Sequence, residues 1–349
     1  MSCQELSSVN AGQVARVTVL PTAHCFETVN AETILEGALR ASVPLNYGCS
    51  GGSCGLCKAK VISGEINKTR FHDYVRTEAD KRDGMVLMCS NSAVGEVVIE
   101  ASVAGGSDEI PLQQISATVK SITILNSEMA LLHLRTPRTN RLRFLAGQSA
   151  TLTVNQAHSA ILSIASCPCD DHNILFHVRS TANNLFADYV FNQLKNNEVV
   201  EIEGPKGDFL FQESVNRPLY FFAFDTGFAP IKSLIEHAMS LETGIPIHLY
   251  WIGSTEESIY LPNVARAWAD ALDGFYFEPM VAHIDVANFS SEQESAFDAI
   301  LQSVLQAKPE LLQGDVYIAG PAGAINKAEI FFLEAGVPAA HIVSYERID

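Results

Sequence analysis

Four cysteines in two neighbouring segments constrain this chain more than any other feature. Three lie in the loop Cys49-Ser-Gly-Gly-Ser-Cys54-Gly-Leu-Cys57, and Cys89 follows downstream. The spacing C-x4-C-x2-C…C is that of a plant-type [2Fe–2S] cluster. A loop that turns several thiolates inward needs backbone conformations that glycine adopts readily, and this loop is rich in glycine. The sequence therefore predicts four cluster ligands: Cys49, Cys54, Cys57 and Cys89.

A structural zinc site is the alternative interpretation of the same cysteines. Structural zinc sites usually show two C-x2–4-C pairs, whereas here only Cys54 and Cys57 form such a pair. The chain has eight cysteines, and its N-terminus lacks the basic and apolar regions of a secretory signal. We therefore expect a cytoplasmic protein, in which clustered cysteines serve metal or redox chemistry rather than disulfides.

Length and charge limit the classes of function. A chain of 349 residues is expected to form two or three domains, and no run approaches the roughly 18 apolar residues of a membrane-spanning helix. The net charge of −17 disfavours binding to nucleic acid and to anionic lipid, and it suits a protein partner with a basic docking face. Solubility alone is the other explanation of this charge.

Hydrophobic patterns divide the chain into a multidomain arrangement of α+β and α/β regions. Residues 1–105 contain the cysteine loop between strand-like segments, and residues 106–112 have the composition of a linker. Residues 113–214 contain six strand-like segments and one helical stretch, which indicates an antiparallel six-stranded barrel. In residues 215–349 strand-like and helical segments alternate, which predicts a parallel α/β sheet with helices on both faces.

The cysteine segments and the order of the three regions resemble a known family. Residues 47–58 are similar to the cluster loop of plant-type ferredoxins, and residues 84–89 are similar to the segment that carries their fourth ligand. The whole chain resembles the reductase components of multicomponent oxygenases and the CDP-6-deoxy-glucoseen reductases. In that family a ferredoxin domain precedes a ferredoxin–NAD(P)H reductase module. The resemblance implies a β-grasp ferredoxin domain, a flavin-type barrel and a nucleotide-binding α/β domain.

The resemblance implies an FAD site in the barrel. The family motif R-x-Y-S-x-A-S corresponds to residues 160–166. Ala160 replaces the arginine that pairs with the pyrophosphate, and Leu162 replaces the tyrosine that lies against the flavin ring. The motif G-P-x-G-x-F is complete at residues 204–209. The FAD contacts implied by the first motif are Ser163, Ile164, Ala165 and Ser166.

A second flavin motif, V-R followed by G-G-x-x-S at a helix start, is altered in part. Val178 and Arg179 match it, while Asn183 and Asn184 replace the two glycines. Asparagine adopts left-handed backbone conformations more often than most residues, and its amide can donate a hydrogen bond to a phosphate. We therefore expect all four residues to contact FAD.

The nicotinamide site implied by the resemblance also departs from the family pattern. The strand-to-helix turn G-G-T-G-x-A-P spans residues 224–230, with Asp225 in place of a glycine. A carboxylate at this position repels phosphate, or it caps the following helix. Residues 254–257 contain no arginine for a 2′-phosphate, which favours NADH over NADPH. The predicted contacts with the dinucleotide are Thr226, Gly227, Gly320 and Pro321.

Two functions are compatible with these motifs. The first is an electron-transfer reductase that passes electrons from NADH through FAD to the [2Fe–2S] cluster, and on to a partner oxygenase or another metalloenzyme. No side chain is then expected to act as a nucleophile or general acid. The second is an electron-transfer or docking subunit of a larger complex, with a cluster but with vestigial flavin and nicotinamide sites. The substitutions in both nucleotide motifs favour this alternative.

Overall fold

The computed structural model describes most of the chain in three successive sheets. The described residues are 14–29, 32–41, 43, 45–48, 51–103, 110–137, 140–212, 216–286 and 291–346. The predicted ligand Cys49 and residues 106–109 of the predicted linker lie outside these ranges. Within them, no helix combines the length and apolarity that a membrane-spanning segment requires.

The first sheet is mixed and has five strands in the order β2-β1-β5-β3-β4, with β1 parallel to β5. Its helix α1 begins after Thr33, whose hydroxyl accepts a hydrogen bond from the Glu36 N–H at 3.2 Å. The sequence pattern predicts the helix over 31–42 with Asn30 as the cap, and Asn30 lies outside the described residues. The elements are β1 Val14–Leu20, β2 His24–Val29, α1 Ile34–Arg40, β3 Lys58–Lys68, α2 Glu78–Arg82, β4 Met85–Leu87 and β5 Asn91–Glu100.

The second sheet confirms the predicted six-stranded antiparallel barrel. Its strand order is β10-β7-β6-β11-β8-β9, and an antiparallel bridge between Ile164 and Phe176 joins the two edges. Alternate residues of each strand face a common apolar core, as expected for a closed sheet. The elements are β6 Gln113–Ile124, β7 Met129–Arg135, β8 Ser149–Val154, β9 His158–Ser163, β10 Asn173–Arg179, α3 Leu185–Asn192 and β11 Val199–Lys206.

The third sheet confirms the predicted parallel α/β region, with strand order β14-β13-β12-β15-β16. Its central strand β12 is buried along its whole length, and its alternate side chains enter two different cores. A parallel sheet covered on both faces needs such a continuous apolar strand. The elements are β12 Leu219–Phe224, α4 Phe228–Ser240, β13 Ile247–Gly253, α5 Pro262–Ala271, β14 Phe275–Val281, α6 Ser291–Ala307, β15 Asp315–Gly320, α7 Ala322–Ala335 and β16 Ile342–Glu346.

The loops that follow β12 and β15 meet at the carboxyl edge of this sheet. Gly227 lies so close to the backbone of Ala319 and Gly320 that a Cβ at position 227 would overlap the Ala319 carbonyl oxygen. Gly320 itself lies against Phe224. Two predicted dinucleotide contacts, Gly227 and Gly320, are thus brought together because only glycine permits this approach of two backbones.

We predict that Gly227→Ala destabilises the protein by about 1–3 kcal/mol, the usual cost of overpacking. The reason is that the added methyl group would meet backbone, which moves less easily than a side chain. Urea unfolding followed by tryptophan fluorescence measures the change. Gly274→Ala is the matched control, because a Cβ there meets nothing within 4 Å. Equal stability of the two variants would contradict the close approach of the two loops.

Candidate functional site

Two of the predicted cluster ligands lie side by side in the first domain. Cys57 precedes β3 and Cys89 lies in a short 3-10 turn, and both are buried with their sulfur atoms 3.2 Å apart. The Met88 N–H donates to the Cys57 carbonyl at 3.0 Å and fixes this pairing. The hydrogen bond with Cys89, followed by burial, raises the pKa of the Cys57 thiol. A metal ion that replaced the thiol protons would stabilise the buried sulfurs, so the pair fits an iron site.

The other two predicted ligands, Cys54 and Cys49, are not seen beside the buried pair. Cys54 is exposed in the loop, and Cys49 lies outside the described residues. Among the described residues, no three metal-ligating side chains meet in one group. The assignment of all four cysteines to one cluster therefore stays a prediction, which requires Cys54 to turn towards the buried pair.

The cluster loop packs tightly against the segment that follows β3. Gly52 and Gly55 have positive φ angles of 78° and 74°, in the region that favours glycine. The Gly52 carbonyl accepts a hydrogen bond from the Tyr74 N–H at 3.0 Å, and a Cβ at Gly55 would overlap the Tyr74 ring. The glycines of the motif are therefore required by backbone conformation and by this close neighbour.

We predict that Cys54→Ala abolishes the iron–sulfur absorption, because three thiolates leave one iron without its second protein ligand. Visible absorption and the iron content per chain measure the loss. Cys169→Ala is the control, because Cys169 lies outside the C-x4-C-x2-C pattern and is joined to Cys167 by a disulfide, which the sequence did not lead us to expect. This variant should retain the signal. Retention of a full cluster in Cys54→Ala would contradict the ligand assignment.

A buried polar contact ties the cluster loop to the barrel. The Tyr47 hydroxyl donates to Asp171 Oδ2 at 2.8 Å, and Asp171 Oδ1 lies 3.5 Å from Arg141 Nη1. The Arg141 N–H in turn donates to the Gly48 carbonyl at 3.4 Å. Burial raises the pKa of Asp171, which the charge of Arg141 opposes. Burial also raises the pKa of Tyr47 well above its usual value, so the phenol is the donor.

This contact was missed by sequence reasoning. Tyr47 and Asp171 are 124 positions apart, and neither Asp171 nor Arg141 belongs to a recognised motif. Tyr47 and Gly48, which these contacts hold, are the two residues before Cys49, so the barrel holds the start of the cluster loop.

We predict that Tyr47→Phe destabilises the protein by about 1–3 kcal/mol, the cost of removing a hydrogen bond to a buried carboxylate. The first thermal transition seen by calorimetry should fall by several degrees. Tyr276→Phe is the matched control, because Tyr276 is half exposed. An unchanged transition in Tyr47→Phe would show that the contact does not hold the two domains together.

A first cavity lies beside β9, the end of β10 and the start of α3. It has a volume of about 410 Å³, and Ala160, Leu162, Val178 and Arg179 line it. Asn183 and Asn184 line it as well. Asn183 adopts the left-handed conformation, with φ 66°, that a glycine would take.

The helix start at this cavity is preserved despite the altered motif. Asn184 caps α3 through its Oδ1, which accepts a hydrogen bond from the Ala187 N–H at 3.0 Å. The first turn of α3 is thus formed at the cavity wall, where backbone N–H groups favour a phosphate. Together with Arg179, these groups fit the pyrophosphate of FAD.

The four residues predicted from the first flavin motif divide into two pairs. Ser163 ends the cavity strand β9 and Ile164 continues it into the bridge that closes the barrel. The carbonyls of Ala165 and Ser166 instead accept hydrogen bonds from α4, from Lys232 Nζ at 2.9 Å and from the Ser233 hydroxyl at 2.7 Å. This second pair therefore joins the barrel to the third domain.

A second cavity of about 370 Å³ lies between the barrel and the third domain. Thr226 lines it, and so do the acidic residues Glu128, Asp225 and Glu257. Arg179 lines both cavities, and its guanidinium lies 3.4 Å from Glu128 and 4.0 Å from Asp225. One cation is therefore shared by the two sites.

Asp225 joins two loops at the floor of this cavity. It is buried with φ 47°, and its carboxylate accepts hydrogen bonds from the Ser254 N–H at 2.7 Å and from the Ser254 hydroxyl at 2.9 Å. The Asp225 carbonyl accepts from Trp251 Nε1. The helix-cap alternative is wrong, because no side chain caps α4. The carboxylate is engaged by donors, which reduces the repulsion of phosphate expected from the sequence.

Comparisons with known proteins agree with this architecture. The model of a 2Fe-2S iron-sulfur cluster binding domain matches residues 17–93, and the model of an oxidoreductase FAD-binding domain matches residues 116–211. The CDP-6-deoxy-L-threo-D-glycero-4-hexulose-3-dehydrase reductase of Yersinia pestis is 31% identical over 92% of this chain and 94% of its own length. The chain belongs to the iron–sulfur flavin reductases.

This reductase is also similar to reductases that serve oxygenases and a cytochrome P450. Terephthalate 1,2-dioxygenase reductase component 1 of Comamonas sp. is 31% identical over 76% of this chain and 78% of its own length. The solved structure of the Amycolatopsis cytochrome P450 reductase GcoB has a TM-score of 0.59 at 22% identity, covering 95% of this chain and 98% of the other. The predicted family is confirmed: the reductase carries a [2Fe–2S] cluster and FAD, and the zinc alternative is wrong.

Proposed function

We propose that this reductase takes electrons from NADH and delivers them one at a time to a protein acceptor, which is an oxygenase or another metalloenzyme. When bound, FAD accepts a hydride from the nicotinamide and supplies single electrons to the cluster. The observation that carries the proposal is the Tyr47–Asp171 contact, which fixes the cluster loop against the flavin-type barrel. A ferredoxin domain that exchanged electrons without the barrel would not need this buried contact with it.

The first cavity is the proposed FAD site. Arg179 and the N-terminus of α3 at Asn183 and Asn184 would hold the pyrophosphate. Leu162 would cover the flavin ring by apolar contact in place of an aromatic side chain. Because the helix start and the left-handed turn are both formed, the structure favours a working flavin site over a vestigial one.

The second cavity is the proposed nicotinamide site. Thr226 lines it, and the adjacent Gly227 lies against the backbone of Gly320; Gly227, Gly320 and Pro321 are not among its lining residues. Glu128 and Glu257 make its wall acidic, and an additional 2′-phosphate would be repelled there. We therefore propose NADH rather than NADPH as the electron donor.

The acceptor is proposed from the relatives. Two of them are a dioxygenase reductase component and a dehydrase reductase, and their names state an enzyme partner in each case. We also infer a cytoplasmic location, because these electron donors and cysteine thiolates are maintained there. The inferred domains are residues 1–105, 113–214 and 215–349, joined by a linker at 106–112.

We predict that the purified protein releases FAD on denaturation and that anaerobic NADH bleaches both the flavin and the cluster absorption. NADPH at the same concentration is the control, and it should react at least about tenfold more slowly, which corresponds to about 1.4 kcal/mol. Iron and sulfide without releasable flavin, together with no response to NADH, would refute the proposed function and support the vestigial alternative.

A further inference from the structure

One stretch of the ferredoxin domain has a net charge opposite in sign to that of the whole chain. Residues 58–82 contain seven of the 23 Lys and Arg residues but only four of the 40 Asp and Glu residues. Their net charge is +3, in a chain whose net charge is −17. The most basic part is the sequence KTRFHDYVR at residues 68–76, which we call the 68–76 segment. A locally positive surface on an acidic protein is a site for selective electrostatic attraction.

Large apolar side chains are exposed in the 68–76 segment and in the cluster loop that it contacts. Phe71 is 80% exposed and Val75 is 84% exposed, both in the 68–76 segment. Leu56, in the cluster loop between Cys54 and Cys57, is 54% exposed. Isolated exposed apolar residues are common, but two within one short segment, beside a third, are typical of an interaction site with a polar rim.

The 68–76 segment lies directly on the cluster loop. Besides the hydrogen bond between the Tyr74 N–H and the Gly52 carbonyl, a Cβ at Gly52 would overlap His72. Lys58, next to Cys57, lies with its Nζ 5.7 Å from the centroid of the Tyr74 ring. A protein bound to this segment would therefore contact the part of the chain that surrounds the cluster.

The cations of the segment are only partly neutralised. Arg70 pairs with Glu36 at 2.6 Å. Lys68 lies over the Phe71 ring, with its Nζ 5.6 Å from the centroid, and among the described residues it makes no ion pair with a carboxylate. An incoming carboxylate could pair with Lys68 while an apolar side chain contacts Phe71.

We infer that the 68–76 segment and Leu56 form the docking surface for the electron acceptor, and that the acceptor presents an acidic rim around an apolar centre. The inference deepens the proposed function and rests on it for the direction of electron flow. The inferred acidic face replaces the basic partner face that we expected from the net charge of −17. The partner would meet the positive residues beside the cluster loop, and their charge decides which face it must present. When bound, the cluster would supply one electron at this surface, returning from its reduced to its oxidised state as one ferric centre of the acceptor becomes ferrous.

The experiment uses the full chain and two haem proteins as probes: cytochrome b5, which is acidic, and cytochrome c, which is basic. Binding of each to the oxidised reductase is measured by titration calorimetry at low ionic strength. The wild type should bind cytochrome b5 with an affinity that disappears near 1 M salt, where the Debye length is about 3 Å. Lys68→Glu should weaken this binding about tenfold, and Phe71→Ser should weaken it without changing its salt dependence.

Two exposed residues of the other domains provide matched controls. Lys195→Glu makes the same charge change in the barrel, and Ile330→Ser removes an apolar side chain that is 54% exposed on α7. Both should bind cytochrome b5 as the wild type does. Equal weakening by Lys68→Glu and Lys195→Glu would show that only net charge matters and would overturn the docking surface.

Electron transfer is measured after the cluster is photoreduced with a deazaflavin, so the result does not depend on NADH. Slower reduction of cytochrome b5 by Lys68→Glu, with unchanged cluster content, would support the inference even if NADH failed to reduce the protein. Full NADH activity with no effect of either variant on cytochrome b5 would overturn the docking surface alone. An altered sedimentation coefficient of the variants without a change in cytochrome b5 binding would assign the segment to a second copy of this chain and would also overturn it.

Discussion

The hydrogen bond between Tyr47 and Asp171 is the interaction on which the arrangement of the redox domains depends. It joins a phenol that lies two positions before Cys49 to a carboxylate in the barrel, and both groups are buried. Arg141 supports the carboxylate by its charge and the loop by its backbone N–H. Because a buried carboxylate is costly without such partners, the three residues hold the cluster loop in one position. A fixed position is what electron transfer between two cofactors requires.

Arg179, at the opposite end of β10 from Asp171, connects the barrel to the third domain. Its guanidinium borders both cavities and lies near Glu128 and Asp225. A ligand in either cavity that attracts the guanidinium would change its distance from these carboxylates. The two cavities are therefore linked through one side chain, while Lys232 and Ser233 of α4 attach the third domain to the backbone after β9.

Several substitutions that weaken the family motifs prove to be compatible with the architecture. Asn183 takes the left-handed conformation of the glycine that it replaces, and Asn184 caps α3. Asp225 uses its carboxylate to bind Ser254 and links two loops. These outcomes were only partly predictable. The conformational tolerance of asparagine is a local property, whereas the partner of the Asp225 carboxylate, Ser254, lies in a loop 29 positions later.

The sequence by itself determined the cluster motif, the order of the three domains and the alternation of strands and helices. These features depend on cysteine spacing and on hydrophobic periodicity, which act over a few residues. Only the tertiary structure decided that Tyr47 meets Asp171, that Arg179 lies between two cavities and that the 68–76 segment covers the cluster loop. Each of these depends on how distant segments pack, and packing brings together residues that no local pattern relates.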